Sequence, residues 1–459
     1  MNFERTKKSQ IFPLNEATDQ SFSFKKGNPI INFQISQQAG LLDPKSISLN
    51  YTLRLEQATS QTQNPPQILL PDNEKAKGGA SEVAIKTNER VASHGVVDTL
   101  TFTVLKENSV IESIRNSPRY LATTIPLTHS ESDMNTYMSC RSLNASTTQV
   151  SAVMMNNIVN CSQKFLQSGF LNGDNLIPVN LFGLGISIQL VPDSFFLTGA
   201  NAPAGAFYTV QDVNMTYDIL VPDEQTLGSM MSKSSNVYTY ESINSVYNTL
   251  DSGNNFTNIN WGLGAVKSVF SNFLPVTNIN NYEFDSMETS QIEKGPETAG
   301  VKDLATIEKV SFSKGGQLFP ITQELDVQSS SEQDRPLVPV LKNAVDAVVD
   351  WNRLSHSLVS PETQLKFNTM LNGKRAGVQY DTTILDITDT VNEGTQPNKI
   401  FTIGCAFDNF TDVGVSFRED TYGMFIKTNH QGSYPVGIYS FAKARNTITV
   451  SQGRVSVSS

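Results

Sequence analysis

Four histidines, His94, His129, His356 and His430, stand singly along the chain. None meets another at the i, i+4 spacing that sets two imidazoles on one helical face for zinc, so each reads as a structural or surface residue. Asp381, Asp386 and Asp389 gather beside an alternating stretch, and paired carboxylates across a cleft are what glycoside hydrolysis requires. Loop acids more often bind their own backbone or water, and that reading is the one taken here. Asp408, Asp412, Glu419 and Asp420 offer the oxygens that calcium prefers, but without the twelve-residue loop spacing of an EF-hand. Gly262-Leu-Gly-Ala-Val-Lys267-Ser268 resembles half of a phosphate loop. It lacks the glycine before the lysine, which lets backbone amides curl around phosphate. Gly183-Leu-Gly185 has no third glycine for a dinucleotide fingerprint and lies among strands, where it implies a bulge or tight packing. A Gly-x-Ser-x-Gly elbow does not occur. The sequence therefore nominates no catalytic, cofactor-binding or metal-binding residue, and no cofactor is expected.

Composition narrows the class further. Charged residues make up 17% of the 459, below the roughly 25% of ordinary soluble domains, and Ser, Thr, Asn and Gln fill the difference. A net charge of −10 argues against a surface built to bind nucleic acid along its length. Basic residues do collect early, at Arg5, Lys7, Lys8, Lys25 and Lys26; a solvated arm is the plain reading, and contact with a genome or membrane the sharper one. Three cysteines, Cys140, Cys161 and Cys405, make no Cys-x-x-Cys pair and fit a reducing compartment. The first residues carry no apolar signal segment, and no run of 18 apolar residues appears.

The elements that would position any site are strands. Ile47, Leu49, Tyr51, Leu53 and Leu55 alternate with Ser48, Asn50, Thr52 and Arg54, the period of a strand with one buried face. Ile31, Phe33 and Ile35 do the same, and Gly40 and Asp43-Pro44 supply a turn between the two. The pattern returns at Leu100–Val104, twice within Leu176–Val191, across Phe207–Val221, and at Val310, Phe312, Leu325 and Val327. Later strands are expected at 384–388, 401–407, 413–417, 424–426, 437–441 and 447–450. Ser109-Val-Ile-Glu112 has the spacing of a capping box, predicting a short helix ended by Pro118. Trp261–Phe273 reads as a second short helix, and Leu337–Trp351 keeps i, i+3, i+4, i+7 spacing as the clearest one.

Many short strands punctuated by Gly and Pro specify sandwiches or jelly rolls, and the length suits two of them. The expected organisation is an unpatterned arm at 1–20, a first jelly roll at 21–222, a linker with inserted loops at 223–300, and a second jelly roll at 301–459. The fold class is all-β: two tandem eight-stranded jelly rolls with a flanking helix in each half. Residues 57–82, rich in Pro, Gly and polar side chains, read as a long surface loop.

Three stretches carry a resemblance. Gly27-Asn-Pro-Ile-Ile-Asn-Phe through Leu41-Leu-Asp-Pro-Lys-Ser-Ile-Ser-Leu is one, and His94-Gly-Val-Val-Asp-Thr-Leu-Thr-Phe through Val110-Ile-Glu-Ser-Ile-Arg-Asn is another. Tyr434-Pro-Val-Gly-Ile-Tyr-Ser-Phe-Ala is the third, with Tyr439 and Ser440 where the family pattern has Asn and Phe. Together they resemble the double jelly-roll major capsid proteins of polinton-like viruses and virophages. That resemblance implies a homotrimer of pseudo-hexagonal outline that tiles an icosahedral DNA-virus shell, with penton and minor capsid proteins as further partners. It implies no sequence-specific nucleic acid and a place in the virion, after synthesis and assembly inside a host cell. The competing readings are a β-sandwich attachment or lectin-like glycan-binding protein, and a β-sandwich carbohydrate-active enzyme. Both need exposed aromatics or paired acids, and the chain has only two tryptophans, Trp261 and Trp351, the second claimed by the helix.

Overall fold

The computed structural model describes residues 3–15, 21–57, 67–69, 84–86, 92–128, 158–196, 206–251, 256–276, 279–280, 291–293, 304–326, 343–344, 346–348, 402–407, 413–428 and 435–458. In its first half eight strands form two facing sheets. They are β1 (Phe3–Ile11), β2 (Ile30–Ile35), β3 (Ser48–Gln57), β4 (Val97–Val104), β5 (Ser109–Ile114), β6 (Ile158–Gln163), β7 (Leu184–Leu190) and β8 (Ala206–Pro222). One sheet runs β1-β8-β3-β6, and Ser21–Phe22 and Leu41–Leu42 add short pairings to β8. The other runs β2-β7-β4-β5, and every pairing in both is antiparallel.

Alternation explains the layering. Phe33, Phe102 and Ile186 from one sheet and Leu49, Tyr51, Leu53 and Met215 from the other are buried in the same cluster, while their strand neighbours reach the surface. The chain crosses from one sheet to the other between β2 and β3. Gly40 makes that crossing at φ +135°, where a Cβ would lie 2.4 Å from Ile219 Cγ2 and 2.9 Å from the Leu220 carbonyl oxygen. Asp43 then caps a 3-10 turn at Pro44–Ser46, its carboxylate accepting from Lys45 N at 3.0 Å.

Among the described residues two helices belong to this half, α1 (Ser117–Thr128) and α2 (Asp193–Phe196), and α3 (Glu224–Ser232) leads out of it. The second half repeats the plan. Its strands are β9 (Ser235–Leu250), β10 (Phe256–Ile259), β11 (Val266–Pro275), β12 (Gln291–Glu293), β13 (Leu304–Lys314), β14 (Ile403–Ala406), β15 (Tyr422–Thr428) and β16 (Val436–Ser451), followed by β17 (Arg454–Ser458). One sheet is β9-β16-β11-β14 with β17 added to β16; the other is β10-β15-β13-β12, with Gln317–Leu318 and Leu325–Asp326 also on β13. Residues 343–344 and 346–348 are helical beside it, where Ser268 Oγ donates to the Ala347 carbonyl at 2.8 Å. The rest of the helix expected at 337–351 and the strand expected at 384–388 lie outside the described residues.

Several elements differ from the sequence expectation. Ser109–Ile114 is not a helix start but strand β5, in a hairpin turned by Asn108 at φ +50°; the helix begins only at Ser117, with Pro118 in its first turn, where a missing N–H is harmless. Trp261–Phe273 is not helical either: β11 occupies Val266–Pro275. Residues 3–11, read as part of an unpatterned arm, pair with Met215–Pro222 of β8, because edge pairing uses backbone groups and needs no alternation. The stretch 223–300 supplies β9, β10, β11 and β12. Gln67–Leu69 and Ala84–Lys86 form a small parallel pair within and just beyond the expected surface loop. Of the two strands expected in 176–191 only β7 forms, Ile177 contributing a single bridge to Leu42. The expected strand at 413–417 is likewise reduced to a Val266–Val415 bridge, and the two at 437–441 and 447–450 are one continuous strand, β16.

Candidate functional site

The residues weighed for chemistry do not assemble into a reactive centre among the described residues. His94 is buried within the 3-10 segment Ala92–Val96; His129, His356, His430, Asp381, Asp386, Asp389, Asp408 and Asp412 lie outside the described residues. Lys267 sits on β11 and forms an ion pair with Glu241 on β9, so the phosphate-loop resemblance has no loop to act through. Gly183 and Gly185 serve close packing: a Cβ there would lie 2.6 Å from Leu105 Cδ1 and 2.5 Å from Thr103 Oγ1 respectively. Asp420 is 3.1 Å from Lys314. No group of three His, Cys, Asp or Glu able to hold a metal occurs among the described residues. Trp261 is buried and offers no platform for a sugar.

What the structure does build is a seam between the two jelly rolls. β5 is the edge of one first-roll sheet and β9 the edge of a second-roll sheet. An exposed strand edge presents unpaired N–H and C=O groups that must find partners. Here side chains satisfy them. Ile243 N on β9 donates to Glu112 Oε1 at 2.6 Å, Tyr240 Oη donates to the Ile111 carbonyl at 2.8 Å, and Arg115 N donates to Ser245 Oγ at 2.8 Å.

Glu112 is the centre of this seam. Its carboxylate also accepts from Gly169 N at 2.9 Å on Oε1, and from Ser168 Oγ at 2.6 Å and Phe170 N at 3.2 Å on Oε2. The loop after β6, strand β5 and strand β9 are thus tied to one side chain that is 2% exposed. A register shift aims it there. Phe102 pairs with Glu112 but Thr103 pairs with Val110, so Ile111 is the extra residue of a bulge. Ile111 and Glu112 are consequently both buried, which strict alternation forbids. Burial in an apolar surround pushes the Glu112 carboxyl up to about 7, against the four donors, which favour the charged form.

Aromatic packing continues the seam. Phe170 meets Tyr240 and Phe102 with ring centroids 5.1 and 5.7 Å apart, and Tyr120 on α1 meets Phe270 and Phe441 at 5.8 and 5.4 Å. Asn272 Nδ2 on β11 donates to Thr123 Oγ1 of α1 at 2.7 Å, so the first-roll helix covers a second-roll sheet. Gly169 permits the closest approach: a Cβ would stand 2.7 Å from the Glu241 carbonyl oxygen and 3.1 Å from Ser242 Cα. Gly169→Ala is expected to lower stability by about 1–3 kcal/mol, since both opposing atoms are backbone and neither can rotate away. Urea unfolding measures this, and an unchanged midpoint contradicts so tight a seam.

Sequence reasoning missed Glu112, taking it for half of a capping box. The signal available was the alternating run Leu100–Val104 followed closely by Asn108, a residue that tolerates positive φ, which marks a hairpin.

No family model matches the chain, and no curated relative does. Solved structures do. The chain is similar to VP54 of PBCV-1, as fitted into a reconstruction of the virophage Sputnik, with 13% identity and a TM-score of 0.54 over 100% of this chain and 98% of that one. The quasi-atomic model of the PBCV-1 capsid gives 12% identity and 0.54 over the same shares. The Sputnik virophage structure gives 11% identity and 0.50 over 100% of this chain and 89% of that chain. At these identities the likeness concerns the fold, which is a double jelly roll in all of them, as expected from the sequence.

Proposed function

We propose that this chain is the major subunit of an icosahedral virus shell. The observation that carries the reading is the pair of jelly rolls joined by a hydrogen-bonded seam along a likeness that spans 100% of the chain. A shell block needs two sandwiches held in one fixed relation, and the Glu112 cluster and α1 supply that rigidity. We read the chain as two units, the first ending near Pro222 and the second beginning near Ser235, with α3 between them. In this proposal three chains make a trimer of six upright rolls, and trimers tile the shell in company with penton and minor capsid proteins. Its place is the virion, after assembly inside the host cell, and its function lies in contact surfaces instead of chemical turnover.

The test is the solution mass of the purified chain by light scattering. A stable species near three times 50.4 kDa is the expected outcome. A monodisperse monomer that persists at high concentration contradicts the proposal.

A further inference from the structure

α1 holds a cation shut away from solvent: Arg119 is 2% exposed. Arginine is rarely buried so completely, because its guanidinium loses its water and brings five donors that need acceptors. An apolar side chain of similar volume fills such a space with no charge to desolvate. The burial therefore points to something that only the guanidinium holds in place.

That group crosses from the first roll to the second. It stands over the Tyr439 ring of β16, 5.7 Å from the centroid, a stacked geometry that suits the planar guanidinium better than an ammonium. Its Nη2 donates to the Ile279 carbonyl at 3.4 Å, and Tyr439 Oη donates to the same oxygen at 3.4 Å. One carbonyl thus receives a donor from each roll. The Arg119 main chain joins in, its carbonyl accepting from Asn272 Nδ2 of β11 at 3.5 Å. Burial pushes the Tyr439 hydroxyl up to about 12, while the Arg119 charge beside it pulls the other way.

Ile279 belongs to a turn that closes the end of β11. Val276 N donates to the Pro435 carbonyl at 3.1 Å, and Ile279 N donates to the Val276 carbonyl at 3.4 Å. The Ile279 side chain seats on Gly437, where a Cβ would lie 2.9 Å from Ile279 Cδ1 and 3.1 Å from Tyr247 Cε2. Tyr247 packs on Tyr439 with ring centroids 5.0 Å apart and is 39% exposed. Direct contacts therefore run from the buried guanidinium out to a surface ring of β9.

The place of this joint along β9 gives it a purpose. Glu112 holds β9 at Ile243, and Tyr247 lies roughly 13 Å further along the strand at about 3.3 Å per residue. Two bodies tied at one point can pivot about it; a second tie removes that freedom. We infer that Arg119 is a positioning residue, a second anchor that pins the Val276–Ile279 turn of the second roll to α1 of the first and stops the rolls pivoting about the Glu112 seam. The inference goes beyond the shell reading and does not depend on it, since the anchor lies within one chain.

Amide hydrogen exchange on the full chain tests it, because exchange separates local opening from global unfolding. Arg119→Lys keeps the charge and the apolar stem but not the planar fork. It is expected to speed exchange at Val276 and Ile279 by about tenfold or more, with the amides of β4 and β7 and the urea midpoint unchanged. Tyr439→Phe leaves the ring under the guanidinium and removes only the other donor to Ile279, so a smaller acceleration at the same two amides is expected. Parent-like exchange at Val276 and Ile279 in Arg119→Lys overturns the inference. So does an acceleration spread evenly over both rolls, or a variant that does not fold, since either makes Arg119 a general stabiliser. A larger local effect in Tyr439→Phe than in Arg119→Lys also overturns it, by making the tyrosine the anchor. None of these results bears on whether the chain forms a trimer, so the shell reading stands or falls separately on its solution mass.

Discussion

Glu112→Ala will lower stability by about 3 kcal/mol, the largest loss expected from any polar residue on the inter-roll seam. Removing the carboxylate strands Ser168 Oγ and the amides of Gly169, Phe170 and Ile243 in a place water does not reach. Each buried unsatisfied donor costs about 1–3 kcal/mol, offset in part by no longer burying a carboxylate. The pH dependence is the sharper signature. The folded carboxyl titrates at about 7 and its ordinary value is 4.5, so between those values the folded chain holds a proton that the unfolded chain has released. Stability from this group is therefore greatest below pH 4.5, declines as pH rises, and levels off above 7. The window spans about 3 kcal/mol. Urea midpoints from pH 5 to 8 should fall in the parent and lose this part of the slope in Glu112→Gln. Superimposable profiles would remove Glu112 from its role as the titrating centre of the seam.

Phe270→Ala should cost about 3–5 kcal/mol, the usual range for a fully buried aromatic ring truncated in a well-packed core. Its position makes the result informative beyond its size. Phe270 lies on β11 of the second roll, yet its ring packs on Tyr120 of α1, which belongs to the first, and on Phe441 of β16. The hole therefore opens under the helix that joins the rolls. Calorimetry is expected to show one transition displaced as a whole, because the buried cluster runs without a break through both rolls. Two separate transitions, only one of which moves, would mean that the seam does not couple the rolls.

Legibility in the sequence followed burial on one face. β3 was plain because Leu49, Tyr51 and Leu53 face the core while Asn50, Thr52 and Arg54 do not. β11 was not, because it is covered twice: α1 and the helical residues 343–344 and 346–348 pack on the face opposite the core, so every residue from Val266 to Leu274 is buried and the period vanishes. A covered strand of that kind has the apolar density of a buried helix, and periodicity alone does not separate the two. β5 was hidden by its bulge, which breaks alternation at Ile111 and Glu112 and leaves a Ser-x-x-Glu spacing that imitates a helix start. β1 was hidden because charged and polar side chains occupy both of its faces, a pattern that fits an edge strand only once its partner is known. The seam itself was invisible in the sequence. It depends on the contact of two edges 130 residues apart, and one acid in a strand does not announce which backbone it will serve.

A reconstruction of the purified oligomer from electron micrographs tests the central claim most directly. The account predicts three copies around one axis and six upright jelly rolls in a pseudo-hexagonal outline. A particle whose rolls are arranged otherwise, or a chain whose two rolls take no fixed relation to each other, would contradict it.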